Sequence, residues 1–272
     1  MGGDSGPHPT SQSRTLAAAR RLLCLGGMNA LSFGLSHVGR RSNNEDALLD
    51  AHELGLYAVA DGLGGYEGGE VASKLTVSVL EDFVASNERD PQGTWPIREL
   101  KTRTFEENLL AAAGVAAHRE IASRRTGNLS QMGSTIVAAL LRGSKLTVMH
   151  CGDSRIYRLR DGEVKALTRD HSVWAEMEAA GLAQDRSSFA WKNQITRALG
   201  LDGHSAADVA TFEVKRGDVY LLCSDGLYDP LANPRLQQGL ELDPEAACRD
   251  LVAAAFAAGS HDNITGVVVR CD

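Results

Sequence analysis

From residue 31 onward, short apolar or alternating runs are interleaved with longer stretches in which apolar residues recur every three or four positions. Residues 31–36 alternate apolar with small or polar side chains, and residues 56–60 (LYAVA) form a compact apolar run; both predict β-strands. Residues 70–85 place Val71, Leu75, Val79 and Phe83 at i, i+4 spacing, which predicts an amphipathic helix. A second helix is predicted over 97–124, with Leu100, Phe105, Leu109, Val115 and Ile121 at its apolar positions. Between 134 and 167 the period changes to two in TIVAALL, KLTVMH, RIYRL and EVKAL. The separators RGS and RDG are turn sequences whose glycine tolerates positive φ, so an antiparallel meander is predicted. VYLLCS and ITGVVVR read as buried strands flanking a helix over 244–258, whose proline suits a first turn. Antiparallel runs with helices set between them indicate an α+β layered domain rather than a Rossmann alternation.

The first 30 residues break this pattern. MGGDSGPHPTSQSRT is polar and rich in Gly, Ser and Pro, too poor in apolar surface to offset the entropy of ordering, so residues 1–30 are expected to be a disordered extension. Residues 31–272 then form a single domain, with no internal repeat and no linker. Arg20 and Arg21 interrupt the only apolar stretch near the start, which argues against a signal peptide, and nowhere do about 18 uninterrupted apolar residues occur. A formal charge of −7 disfavours nonspecific attraction to nucleic acid or an anionic membrane. Five scattered cysteines without a C-x-x-C pair suggest neither a disulfide framework nor a zinc knuckle, and a reducing cytoplasm is the expectation.

Acids at the ends of the predicted strands change the picture most. Asp61 follows LYAVA, Asp153 follows VMHCG, Asp225 follows VYLLCS, and Asp262 comes just before ITGVVV. Strand ends of one sheet edge can bring such groups together, where they repel unless cations neutralise them. Hard divalent ions held by oxygen suit this set, and the absence of His and Cys at zinc spacing favours Mg²⁺ or Mn²⁺. The glycines of DGLGGYEGG (61–69) let the backbone turn sharply after Asp61 and offer a carbonyl to a metal.

The segments RSNNED (41–46), DGLGG (61–65), GST (133–135), GDSR (152–155), LTRDHS (167–172), ITRALG (195–200), SDGLYD (224–229) and HDNIT (261–265) stand in chain order. Together they resemble the bacterial metal-dependent protein serine/threonine phosphatases, the PPM or type 2C family, over nearly all of residues 31–270. The resemblance implies a β-sandwich of two antiparallel sheets flanked by helices (αββα), with a two-metal centre at one end. It implies that Asp61 bridges two Mn²⁺ or Mg²⁺ ions, that Gly62 lends a carbonyl, and that Asp225 and Asp262 complete the first site. Glu45 and Asp46 match carboxylates that hold metal-bound waters, Arg41 the phosphate-binding arginine, and Asp153 the acid of a third, weaker site. The implied reaction is hydrolysis of phosphoserine and phosphothreonine in phosphoproteins by a metal-activated hydroxide, without a phosphoenzyme. Implied with it is a cognate Ser/Thr kinase; beside it stand the expectations of a cytoplasmic setting, a monomeric enzyme, and no nucleic-acid or membrane partner.

Singly, each Asp after a strand reads more readily as a turn residue, and Arg41 as a solvated charge. The ordered set is what reverses that reading. Cys151 and Cys223 read as buried packing residues, His171 as a structural hydrogen-bonding residue, and Asp170 as the cap of a helix beginning near Ser172. Leu63 and Tyr66 stand where relatives carry Met and His. Residues 173–192 correspond to a variable flap, in which Trp174, Phe189 and Trp191 are expected to form a small core. Two rivals remain beside the general phosphatase: a silent phosphoprotein-binding regulator of the same fold, and a phosphatase dedicated to one stress-regulator partner.

Overall fold

The computed structural model describes residues 16–17, 21–25, 28–65, 67–90, 93–182, 189, 191, 194–201 and 206–272. In chain order the elements are β1 (Leu16–Ala17), β2 (Arg21–Leu25), β3 (Met28–His37), β4 (Asp46–Ala51), β5 (Leu56–Leu63), α1 (Gly68–Arg89) and α2 (Phe105–Ser123). These are followed by β6 (Gly133–Ser134), β7 (Ile136–Arg142), β8 (Lys145–Cys151), β9 (Arg155–Arg160), β10 (Glu163–Ala166) and α3 (Val173–Ala179). The chain ends with β11 (Asp208–Glu213), β12 (Val219–Cys223), α4 (Asp225–Tyr228), α5 (Asn233–Leu240), α6 (Pro244–Ala257) and β13 (Ile264–Cys271).

One sheet runs β1-β3-β13-β12-β9-β10 with β2 also on β3, and the other β11-β8-β7-β5-β4, every pairing antiparallel. The sheets stack face to face between helical layers, which is why the central strands are apolar on both sides. In β5, Tyr57 and Val59 point inward against Tyr220, Leu222 and Val267 of the opposite sheet. The alternate residues Leu56, Ala58 and Ala60 point outward into a cluster with Leu80 and Val84 of α1 and Leu109 and Leu110 of α2. On the far side Phe33, Leu221 and Val268 pack against Leu236 of α5 and Leu251 of α6. This is the expected αββα sandwich. No helix among the described residues is long and apolar enough to cross a membrane.

Several elements differ from the sequence expectation. Residues 1–15 lie outside the described residues, but β1 and β2, within the stretch expected to be disordered, hydrogen-bond to β3 along its outer edge. RLLCL has enough strand-forming character to take up the unpaired backbone groups of that edge. The second helix begins at Phe105, not residue 97: Thr104 and Glu107 form a reciprocal capping box, and Leu100 ahead of it is 48% exposed. The expected four-stranded meander divides between sheets, β7 and β8 pairing in one and β9 and β10 in the other. The chain crosses at Gly152, whose φ is +108° and where a Cβ would stand 2.7 Å from the Thr135 side chain, so only glycine fits. Edge strands β4 and β11 are short and partly polar, which hid them from period counting.

Candidate metal centre

The antiparallel pairing of β4 and β5 sets the first two acids opposite each other, because Asp46 is the register partner of Asp61. Asp153 lies at the sheet crossing, Asp225 opens α4 with only Ser224 between it and β12, and Asp262 is separated from β13 by Asn263 alone. All of these strand ends lie at one end of the sandwich. The loop from β3 to β4 brings Arg41 and Glu45 to the same place. It is shaped by Asn263, whose Oδ1 accepts from the Glu45 N–H (2.8 Å) and whose Nδ2 donates to the carbonyls of Val38 and Asn43 (2.9 Å each). Asn263 was not legible as a site residue: an amide after HD looks like any turn asparagine.

The glycines are explained by crowding. A Cβ at Gly62 would stand 2.0 Å from the Gly69 carbonyl oxygen and 2.7 Å from that of Glu45, and one at Gly69 would stand 2.1 Å from Glu45 Oε2. Gly64 and Gly65 take φ of +119° and +66°, the left-handed turn expected after Asp61. Gly62→Ala is therefore expected to destabilise the fold by about 1–3 kcal/mol or more, because backbone atoms and not a movable side chain occupy the space. A thermal melt checks this, and an unchanged melting temperature would show that the two loops are free to part.

Arg41 Nη2 donates to Asp262 Oδ2 (2.7 Å) and Nε to the His261 carbonyl (3.2 Å), with the side chain still 58% exposed. The pair forms a wall between two hollows. One, of about 450 Å³, is lined by Glu45, Asp61, Gly62 and Gly64; the other, of about 380 Å³, by Asp225, Asp229 and His261. Burial raises the Asp61 carboxyl well above the usual range, and the charges of Asp46, Asp225, Asp153 and Asp262 raise it further. Burial likewise pushes Asp46 up to about 7, although the Thr265 and Ser224 hydroxyls oppose it, Ser224 Oγ donating at 2.8 Å. Asp153 is pushed up to about 8 by burial and then by Asp225, and Asp225 to about 6 by burial and then by Asp262. Burial also raises Glu45, against the pull of Arg41.

The donor set fits divalent cations. Asp46 Oδ1 and Asp225 Oδ1 are buried without a hydrogen-bond partner, and each needs a positive group to offset its desolvation. Glu45, Asp61 and Asp262 line one of the two hollows and Asp225 and Asp262 the other, with Asp46 and Asp153 buried behind them.

Among the described residues, a second group of donors, His150, His171 and Asp208, has ligand atoms within 4.8 Å of one another. Its hydrogen bonds argue against a metal there. The Gly152 N–H donates to His171 Nδ1 (3.2 Å), so the ring's proton is assigned to Nε2, facing Asp208 Oδ2 at 3.2 Å, while Arg197 bonds the same carboxylate (3.1 Å). A cation on Nε2 would move that proton to Nδ1, against an N–H donor. His171 is thus a structural hydrogen-bonding residue, as expected. Asp170 is not the helix cap: it accepts both arms of Arg155 (2.7 and 2.6 Å), and Ser172 caps α3 by accepting from the Ala175 N–H (3.3 Å). A buried carboxylate facing a partly buried guanidinium gains more from that pair than from a cap. Of the flap, Phe189 and Trp191 meet edge to face at 5.9 Å with Trp191 62% exposed, while residues 183–188, 190 and 192–193 and Tyr66 lie outside the described residues. Cys151 and Cys223 are buried free thiols with pKa values raised by burial, as expected.

Two antiparallel sheets packed between helices, with buried carboxylates gathered at one end, define the class of αββα sandwich proteins to which this fold belongs. The chain belongs to the protein phosphatase 2C family, whose pattern matches residues 33–259. It is 35% identical to the serine/threonine protein phosphatase PstP of Mycobacterium tuberculosis over 84% of this chain, and spans 42% of that protein's length. It is 31% identical to the serine/threonine phosphatase stp of Listeria monocytogenes, covering 85% of this chain and 92% of that one. The catalytic domain of the serine/threonine protein phosphatase PstP, solved in complex with 2 manganese ions, superposes with a TM-score of 0.75 at 31% identity, covering 90% of this chain and 99% of that one.

Proposed function

We propose that this chain hydrolyses phosphoserine and phosphothreonine in phosphoproteins, using two Mn²⁺ or Mg²⁺ ions. The observation that carries the reading is the pair of buried, unpartnered carboxylate oxygens on Asp46 and Asp225 beside the strongly raised Asp61. Asp61, the Gly62 carbonyl, Asp225 and Asp262 would hold the ions, with Asp46 and Glu45 orienting water and Asp153 serving a third, weaker site. When bound, such ions supply an activated water nucleophile and charge compensation for the phosphoryl oxygens. Arg41, at the cleft wall, presents a planar fork that can grip two phosphoryl oxygens and offset the charge of the transition state. Asn263 keeps the Arg41–Glu45 loop against β13, so guanidinium and acids share one frame. The acid set is intact, which favours an active enzyme over a silent binding module.

A Ser/Thr kinase acting on the same substrates, a monomeric state and a cytoplasmic setting complete the reading. The last is supported by four buried free thiols among the described residues. The test is hydrolysis of p-nitrophenyl phosphate and a phosphothreonine peptide with Mn²⁺ and with chelator. Turnover is expected only with metal, and metal-independent turnover would sink the reading. In the same assay Arg41→Ala is expected to lower kcat/KM by roughly 10²-fold, the cost of losing one transition-state donor, while Mn²⁺ binding persists.

A further inference from the structure

The turn that carries Asp153 is held by residues that touch neither the cleft nor its acids' free oxygens. Three backbone groups of this sheet crossing are engaged from outside it. The Gly152 N–H donates to His171 Nδ1 (3.2 Å), the Gly152 carbonyl accepts from the His171 N–H (2.8 Å), and the Asp153 carbonyl accepts from the Tyr228 hydroxyl (2.9 Å). Next along the chain, Ser154 Oγ bonds Thr135 Oγ1 (2.8 Å), which accepts from the Asp61 N–H (3.0 Å).

The two external holders are themselves fixed. The Arg155 guanidinium lies 3.8 Å from the centroid of the Tyr228 ring while both its arms grip Asp170, the residue before His171. Asp208 and Arg197 fix the His171 ring from the other side, and His150 stacks on it at 4.6 Å. Tyr228 is 4% and His171 7% exposed, and the hollow that His171 borders, with Arg197 and Asp208, is separate from those lined by Asp61 and Asp225. Together these contacts hold the backbone on both sides of the Asp153 Cα, from which the buried carboxylate projects towards Asp225 and Asp61.

We propose that Tyr228 and His171 are positioning residues for Asp153, setting the affinity of the metal site to which that carboxylate contributes. The inference rests on the proposed role of Asp153 in a third, weaker site. Groups that orient a metal's ligands typically change affinity by about 10–100-fold when removed. Tyr228→Phe deletes one hydroxyl and keeps the ring under Arg155. His171→Ala removes the Nδ1 acceptor, and His171→Asn returns an acceptor to nearly the same place.

The experiment is Mn²⁺ titration of the full chain by calorimetry, with free Mn²⁺ followed by electron paramagnetic resonance. Asp153→Asn serves as the reference for loss of the weakest site, and a thermal melt accompanies each variant. Tyr228→Phe and His171→Ala are expected to weaken the weakest site roughly tenfold and leave the tighter ions unchanged, with His171→Asn restoring wild-type binding. Should His171→Ala fail to fold, Tyr228→Phe carries the test alone. Unchanged weak-site affinity in Tyr228→Phe, or equal weakening at every site, overturns the proposal while leaving the phosphatase reading intact. A wild type whose weakest site survives Asp153→Asn overturns the role of Asp153 and this proposal together. A wild type that binds no Mn²⁺ overturns the metal reading itself.

Discussion

Asp61→Asn is expected to abolish hydrolysis and, at the same time, to raise the melting temperature of the metal-free protein at pH 8. The two effects have one origin. Asp61 is desolvated and faces four other carboxylates, so without cations its ionised form is strongly disfavoured. An amide keeps the shape and removes that charge. The same substitution withdraws the oxygen proposed to join two ions, and loss of several kcal/mol of transition-state stabilisation corresponds to a fall in kcat of about 10³-fold or more. Steady-state kinetics with saturating Mn²⁺ and a melt in chelator measure the two arms. A variant that is both inactive and less stable without metal would mean that Asp61 acts mainly as a structural acceptor.

Removing the metal should also invert the ordinary pH dependence of stability. For carboxyls raised in the folded state, the native protein holds protons that the unfolded chain releases near pH 4. Their effect is therefore favourable in acid and is lost as pH rises through the folded values, about 6 for Asp225, 7 for Asp46 and 8 for Asp153. In chelator the melting temperature is expected to fall between about pH 5 and pH 8, where most proteins are at their most stable. Saturating Mn²⁺ should abolish that decline, and its binding near pH 7 should release protons, seen as a dependence of calorimetric heat on the buffer's ionisation enthalpy. A metal-free protein that gains stability towards pH 8 would show that the acids are ionised and well solvated without cations.

How much of this the chain discloses depends on whether the signal is local. LYAVA reads as a buried strand because both its faces are covered, and the acids read as a set because each directly adjoins such a run. Asp46 was recognisable through the neighbouring RSNNE and not through its own strand, whose DALLDA pattern carries little period. The start of α2 was available in TFEE, a Thr with Glu three residues on, but the apolar count over residues 97–104 outweighed it. What sequence cannot supply is side-chain partnership at long separation. Asn263 reaches back 218 residues to Glu45, and Ser224 reaches 178 to Asp46. Asp170 was assigned to the helix three residues away because its actual partner, Arg155, sits on a strand across a turn. The division of the β7–β10 meander between sheets likewise depends on Thr135 filling the space beside Gly152, a contact invisible in any local window.

The borders of the two sheets have a consequence for life in a crowded solution. On one side β1 and β2 occupy the outer backbone groups of β3; the remaining borders are β10, four residues with Glu163 and Lys165 exposed, and the short β4 and β11, the latter bracketed by exposed Asp208 and Glu213. Any second chain adding a strand there would bring its own backbone against charged side chains over only four to six positions. At these three borders a sandwich with so apolar an interior is thereby guarded against edge-to-edge fibre growth.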